Sequence, residues 1–250
     1  MFGTGDMDRY RRQLDLWGVE GQEALRRACV VIAGCGGLGS VVATYLACAG
    51  VGFLRLVDFD RVDPSNLNRQ FLHWPEDIGK QKCISFKEKI AAINLEVAVE
   101  AVSSVIQDDL TEEIIGDADL IVDALDNFST RFILNNAAVK KNIPLIHGAV
   151  QGFSGQVATI LPGRSACLRC MFPDTPLVKD FPIAGATCGV IGSIQATEAI
   201  KYITGQGECL VNRILLWRGE IGSFDVVPVR RDPSCEICST LCSDAKESKP

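Results

Sequence analysis

From Ala28 to Leu54 the chain carries no charged side chain. A hydropathy window would read that run as a membrane helix. Glycines at 34, 36, 37, 39, 50 and 52 break it into shorter pieces. It resolves into a β-branched strand at Cys29–Ala33, the loop Gly34-Cys35-Gly36-Gly37-Leu38-Gly39, a helix at Leu38–Ala49 and a second strand at Phe53–Val57. A strand entering a G-x-G-G-x-G loop that opens a helix is the first half of a βαβ unit. Parallel strands joined by such crossovers need helices on both faces of the sheet.

The alternation continues. Val97–Ala101, Leu120–Ala124 and Pro144–His147 read as further strands, and Lys80–Ile93 and Ser129–Lys141 as amphipathic helices. After Gly148 come β-rich segments at Gln156–Leu161, Arg213–Arg218 and Ser223–Val229, interrupted by one helix at Gly192–Ile203. The expectation is an α/β fold: a Rossmann-like parallel sheet with helices on both faces, extended by antiparallel strands. One domain is expected over 1–242, with a nucleotide-binding half at about 28–150, a β-rich half at about 151–242 and a flexible tail at 243–250.

Two C-x-x-C pairs, Cys167-Leu-Arg-Cys170 and Cys235-Glu-Ile-Cys238, stand behind this unit. Four thiolates are the soft tetrahedral set that structural zinc prefers, and a closed four-cysteine site leaves no position for substrate. The chemistry is therefore expected near the glycines. The N-terminal residues lack the apolar core of a signal peptide, so a soluble cytoplasmic protein is expected, its eleven cysteines reduced rather than paired as disulfides. A net charge of −6 argues against nucleic acid as a partner.

The glycine loop offers backbone N–H groups and the positive end of a helix dipole to a phosphate. Asp58, at the end of the second strand, can accept hydrogen bonds from ribose hydroxyls and disfavours a 2′-phosphate. That fits NAD, FAD or ATP. The loop lacks the Lys-Ser/Thr ending of a P-loop, so cations for a triphosphate must come from elsewhere, and Arg69 and Lys82 are the candidates. Asp126, just past a buried strand, suits magnesium, although a carboxylate there also suits a helix cap.

Taken in order, G-x-G-G-x-G, L-V-D-F-D, S-N-L-N-R-Q-F-L, G-K-Q-K, D-A-L-D-N and the two C-x-x-C pairs resemble the MoeB/ThiF/HesA family, bacterial relatives of ubiquitin-activating enzymes. The resemblance runs from Arg9 to Cys238. It implies an adenylyltransferase that uses ATP and magnesium on the C-terminal Gly-Gly carboxylate of a small ubiquitin-like sulfur-carrier protein, in molybdopterin or thiamine biosynthesis. Family roles give Gly36, Gly37 and Gly39 to the phosphates, Asp58 to the ribose, Asn66, Arg69 and Lys82 to the triphosphate, and Asp126 to magnesium. Arg12 matches an arginine that reaches the ATP of the neighbouring subunit, so a homodimer is implied. Some relatives place a receiving cysteine after the first zinc pair; here the stretch Met171–Thr187 has none, and Cys188, next in sequence, reads as a buried structural thiol. With no rhodanese domain in the sequence, sulfur is expected from a separate donor protein. Two competing functions are an NAD-dependent oxidoreductase on the same glycine loop and a non-catalytic nucleotide-binding adaptor.

Overall fold

The computed structural model describes residues 4–173 and 181–239, with only the backbone of residues 4–7. The elements are α1 (Thr4–Arg27), β1 (Cys29–Ala33), α2 (Gly37–Ala49), β2 (Phe53–Val57), α3 (Lys82–Ile93), β3 (Ala98–Val102), α4 (Thr111–Ile115), β4 (Leu120–Asp123), α5 (Phe128–Lys141), β5 (Leu145–Gln151), β6 (Ser154–Ile160), α6 (Leu168–Met171), α7 (Gly185–Thr204), β7 (Arg213–Arg218) and β8 (Ser223–Pro228). They form one eight-stranded sheet in the order β3-β2-β1-β4-β5-β6-β7-β8. The first five strands pair in parallel, and β6, β7 and β8 continue the sheet antiparallel.

Side-chain alternation along the central strands explains the layering. Val30 and Ile32 of β1 face the core shared with Leu46 of α2, Phe86 of α3 and Ile191 of α7, whereas Val31 and Ala33 face Leu134 and Ala138 of α5. β4 divides in the same way, with Leu120 and Val122 on the first side and Ile121 on the second. Both faces of these strands are covered, so their sequences are continuously apolar.

The strands lie within a residue or two of the expected bounds, except that β5 runs on to Gln151 to pair with β6. The larger correction is α7, which begins at Gly185 rather than Gly192. Its glycines lower helix propensity and hide its first two turns. Gly185 and Gly192 are there for packing: a Cβ on Gly185 would stand 2.5 Å from the Asn68 carbonyl oxygen, and one on Gly192 2.6 Å from Val41 Cβ of α2. The helix α1 ahead of Cys29 is also not signalled by the alternation, since Gly18 and Gly21 interrupt its apolar positions. Among the described residues, no helix is long and apolar enough to cross a membrane. The expected tail at 243–250 lies outside the described residues.

Candidate active site

The strand order reverses direction between β1 and β4, and open α/β sheets bind ligands in the crevice beyond the carboxyl ends of strands at such a point. A cavity of about 140 Å³ lies there. Its lining includes Gly36, Gly37, Asp58, Arg69, Lys82 and Asp126, residues spread across five separate stretches of sequence.

The glycines divide by role. Gly34 has φ +102, and its Cβ would stand 2.6 Å from the Ala124 carbonyl oxygen, so only glycine lets the loop cross β4 there. Gly36 precedes α2 and Gly37 is its first residue. Gly39 does not line the cavity; its Cβ would stand 2.1 Å from the Gly34 carbonyl oxygen, so the absent side chain permits close loop–helix packing.

Asp58 accepts the Cys35 N–H (2.7 Å) on one carboxylate oxygen and the Asp60 N–H (2.8 Å) on the other. Burial pushes its carboxyl above the usual range, opposed by Lys82 and these two N–H groups. Lys82 is buried, with Nζ 2.8 Å from the Asp60 carboxylate. Half-buried Arg69 donates to the Ser65 carbonyl (2.9 Å) and the Asn68 side chain (2.9 Å). Asn66 is not part of the lining; its Oδ1 accepts the Asp63 N–H at 3.0 Å and closes the turn that carries Arg69.

Asp126 is exposed, and the cap of α5 is its neighbour, Asn127, whose Oδ1 accepts the Thr130 N–H at 2.9 Å. The carboxylate is thereby left free of capping. Sequence reasoning missed Arg131, which is 4% exposed and lines the cavity. Its guanidinium donates to the Leu125 carbonyl and to the Gly148 carbonyl (3.0 Å), and lies 3.4 Å from the Asp123 carboxylate. It therefore clamps the loop that presents Asp126. Burial alone would raise the Asp123 carboxyl, but Arg131 and His147 hold it below its ordinary value. An arginine inside an amphipathic helix pattern reads as a surface charge, so no local signal marks it. Gln70, also missed, is 5% exposed, lines the cavity, and has an Oε1 with no partner among the described residues.

Arg12 is exposed on α1 and does not line this cavity. Its neighbours are tied to the chain away from the cavity: Tyr10 accepts from Asn94 (2.9 Å) at the end of α3, and Gln13 donates to the Ala49 carbonyl (3.0 Å) at the far end of α2. The 13 residues of α2 span about 20 Å, which separates Arg12 from the glycine loop at the other end. Neither histidine lines the cavity. Cys188 does, in the first turn of α7. Burial pushes its thiol up, countered by Arg69.

Away from the cavity, the Sγ atoms of Cys167, Cys170, Cys235 and Cys238 lie within 4.8 Å of one another. The pairs Cys167–Cys170, Cys167–Cys235 and Cys170–Cys238 are separated by 3.9, 3.7 and 3.5 Å. A tetrahedron with metal–sulfur bonds of about 2.3 Å has sulfur–sulfur edges of about 3.8 Å, whereas a disulfide needs about 2.05 Å. The donor set fits zinc in both chemistry and spacing.

The ThiF family profile matches residues 10–237. The chain is 40% identical over 240 residues to the SAMP-activating enzyme E1 of Haloferax volcanii, covering 93% of this chain and 88% of that one. It is 42% identical over 246 residues to the sulfur carrier protein adenylyltransferase of Thermus thermophilus, covering 93% and 91%. Among solved structures it is similar to Escherichia coli MccB with ATP, at a TM-score of 0.83 and 27% identity over 92% of this chain and 74% of that one. With a profile that runs through the glycine loop, the cavity and the first cysteine pair, and with two relatives matched nearly end to end, the chain belongs to the ThiF family.

Proposed function

We propose that this chain adenylylates the C-terminal Gly-Gly carboxylate of a small ubiquitin-like sulfur-carrier protein, releasing pyrophosphate and leaving an acyl-adenylate. The observation that carries this reading is the cavity itself, where the glycine loop, a ribose-type carboxylate, two cations and an uncapped carboxylate meet. Two relatives named for carrier activation and a fold neighbour described with ATP support it. The oxidoreductase alternative is not favoured, since a hydride acceptor fold has no use for the Arg69, Lys82 and Asp126 set.

The carrier carboxylate is already ionised near pH 7 and needs no general base. It must approach a polyanion, so the chain's task is positioning and charge neutralisation. Gly36 and Gly37 present backbone N–H groups to the phosphates. Asp58 holds the ribose. Lys82 and Arg69 spread positive charge along the triphosphate, and Asp126, held by the Arg131 clamp, presents a carboxylate for magnesium. Magnesium, when bound, supplies further charge neutralisation on the phosphate oxygens. Arg12 completes the site of a second copy of the chain, in a homodimer; its distance from its own cavity supports this role. The zinc-bearing cysteines hold the β-rich half together and take no part in the chemistry. On the edge strand β8, Phe224 and Val226 are about half exposed and offer an apolar, β-rich surface for the carrier. A separate protein supplies the sulfur.

The test is intact-mass analysis of candidate Gly-Gly-ended carriers after incubation with the protein, ATP and magnesium. The proposal expects one carrier to gain the mass of a single adenylyl group, AMP less one water. Tight ATP binding with no mass gain on any carrier would favour the adaptor.

A further inference from the structure

Behind the glycine loop lies a histidine that touches no part of the cavity. His73 is 3% exposed, and its ring lies 4.8 Å from that of Phe86, centroid to centroid. Its Nε2 is 3.1 Å from the Cys35 carbonyl oxygen and its Nδ1 is 2.9 Å from Ser85 Oγ. A carbonyl oxygen only accepts, so Nε2 carries the hydrogen, and Ser85 Oγ, which also bonds the Asp77 carboxylate, holds the other side of the ring. Burial lowers the His73 pKa to about 4, which keeps this neutral form in place at pH 7.

The Cys35 carbonyl belongs to the same peptide unit as the Gly36 N–H. In a planar trans peptide these two groups point in opposite directions. Holding the carbonyl on His73 therefore turns the Gly36 N–H away from the protein interior. The preceding unit is fixed as well, because the Cys35 N–H donates to Asp58 at 2.7 Å. Among the described residues, no backbone or side-chain acceptor takes the Gly36 or Gly37 N–H. With glycines at 34, 36 and 37, nothing in the loop's own sterics would stop this peptide from flipping.

We propose that His73 is a positioning residue: the hydrogen bond from its imidazole to the Cys35 carbonyl, braced by Ser85, locks the Cys35–Gly36 peptide with its N–H toward the phosphates of ATP. This rests on the nucleotide reading of the cavity. It makes His73 specific to the phosphates, since the ribose is assigned to Asp58.

The experiment compares binding of ATP and of adenosine to wild type, His73→Leu, His73→Gln and Ser85→Ala by calorimetry, alongside melting temperature. Leucine fills the space without a donor, whereas the glutamine amide can reach the same carbonyl. His73→Leu is expected to weaken ATP about tenfold or more, the effect of losing the oriented Gly36 N–H as a donor to a charged phosphate, while adenosine affinity stays within about twofold of wild type. His73→Gln is expected to regain most of the loss and Ser85→Ala to fall between. ATP binding unchanged in His73→Leu, equal loss of ATP and adenosine, or no rescue by glutamine would each overturn the assignment. Because the readout is nucleotide binding, it can fail while carrier adenylation stands. Wild type that binds neither ligand would instead remove the nucleotide reading and the assignment with it.

Discussion

Lys82 Nζ lies 2.8 Å from the Asp60 carboxylate in a position where the lysine is 8% exposed and the aspartate 47%. Both residues line the cavity, and the exposed carboxylate tethers a buried cation. Such a lysine is poised for a polyanion that outcompetes a single carboxylate. Lys82→Ala is expected to lower kcat/KM for ATP on the order of a hundredfold, the scale of losing one preorganised cation. Asp60→Asn should cost much less, since it leaves the ammonium in place. Steady-state pyrophosphate release checks both.

Two glycines of one motif should fail in different ways. Gly39→Ala places a Cβ 2.1 Å from the Gly34 carbonyl oxygen and should cost about 3 kcal/mol or more of stability. A Cβ on Gly36 has the Gln70 amide, at 3.7 Å, as its nearest neighbour, so Gly36→Ala should fold normally and show its deficit in ATP affinity. Urea unfolding and nucleotide binding separate the two. Equal stability loss would contradict the division of roles.

The four-cysteine site predicts one equivalent of zinc per chain. Stripping it with chelator, or Cys170→Ser, should lower stability by several kcal/mol, a part of the roughly 10–16 kcal/mol seen for zinc binding in small peptides. Metal analysis of the purified protein and thermal melts with and without chelator measure this. Absence of stoichiometric metal together with a chelator-insensitive melt would contradict it.

Acid sensitivity should report on His73. Its folded-state pKa, lowered to about 4, lies below the unfolded value near 6.5, so the unfolded chain binds the extra proton between those values. Stability from this group is complete above about pH 6.5 and is lost as pH falls toward 4, by about 3 kcal/mol at most. The charged groups facing the ring are Lys82 and Lys89, which lower its pKa, and Asp77, which raises it. His147, also buried, shifts in the same direction, so the comparison of wild type with His73→Gln isolates His73. The wild-type curve should fall more steeply over this range.

Most of the parallel sheet was legible in the sequence because buried strands and glycine-bounded crossovers leave a strong pattern, as in Cys29–Ala49. The cavity residues carried by loops at strand ends, Asp58 and Asp126, were legible for the same reason: position in the βαβ pattern fixes which edge they occupy. Arg131 and His73 were not. Each acts on a backbone carbonyl far along the chain, Gly148 for one and Cys35 for the other, and such contacts exist only once the layers have packed. The early start of α7 was hidden because Gly185 and Gly189 lower helix propensity in its first turns, Gly185 serving close contact with the Asn68–Arg69 backbone instead.

Carrier-dependent ATP:pyrophosphate exchange tests the central claim most directly. The assay takes wild type and Asp126→Ala, each alone, with Gly-Gly-ended carriers, and with the same carriers lacking the final glycine. The account predicts exchange by wild type that requires one intact carrier and disappears on removal of its last glycine or of Asp126. Absence of exchange with every carrier, in protein shown to bind ATP, would contradict it.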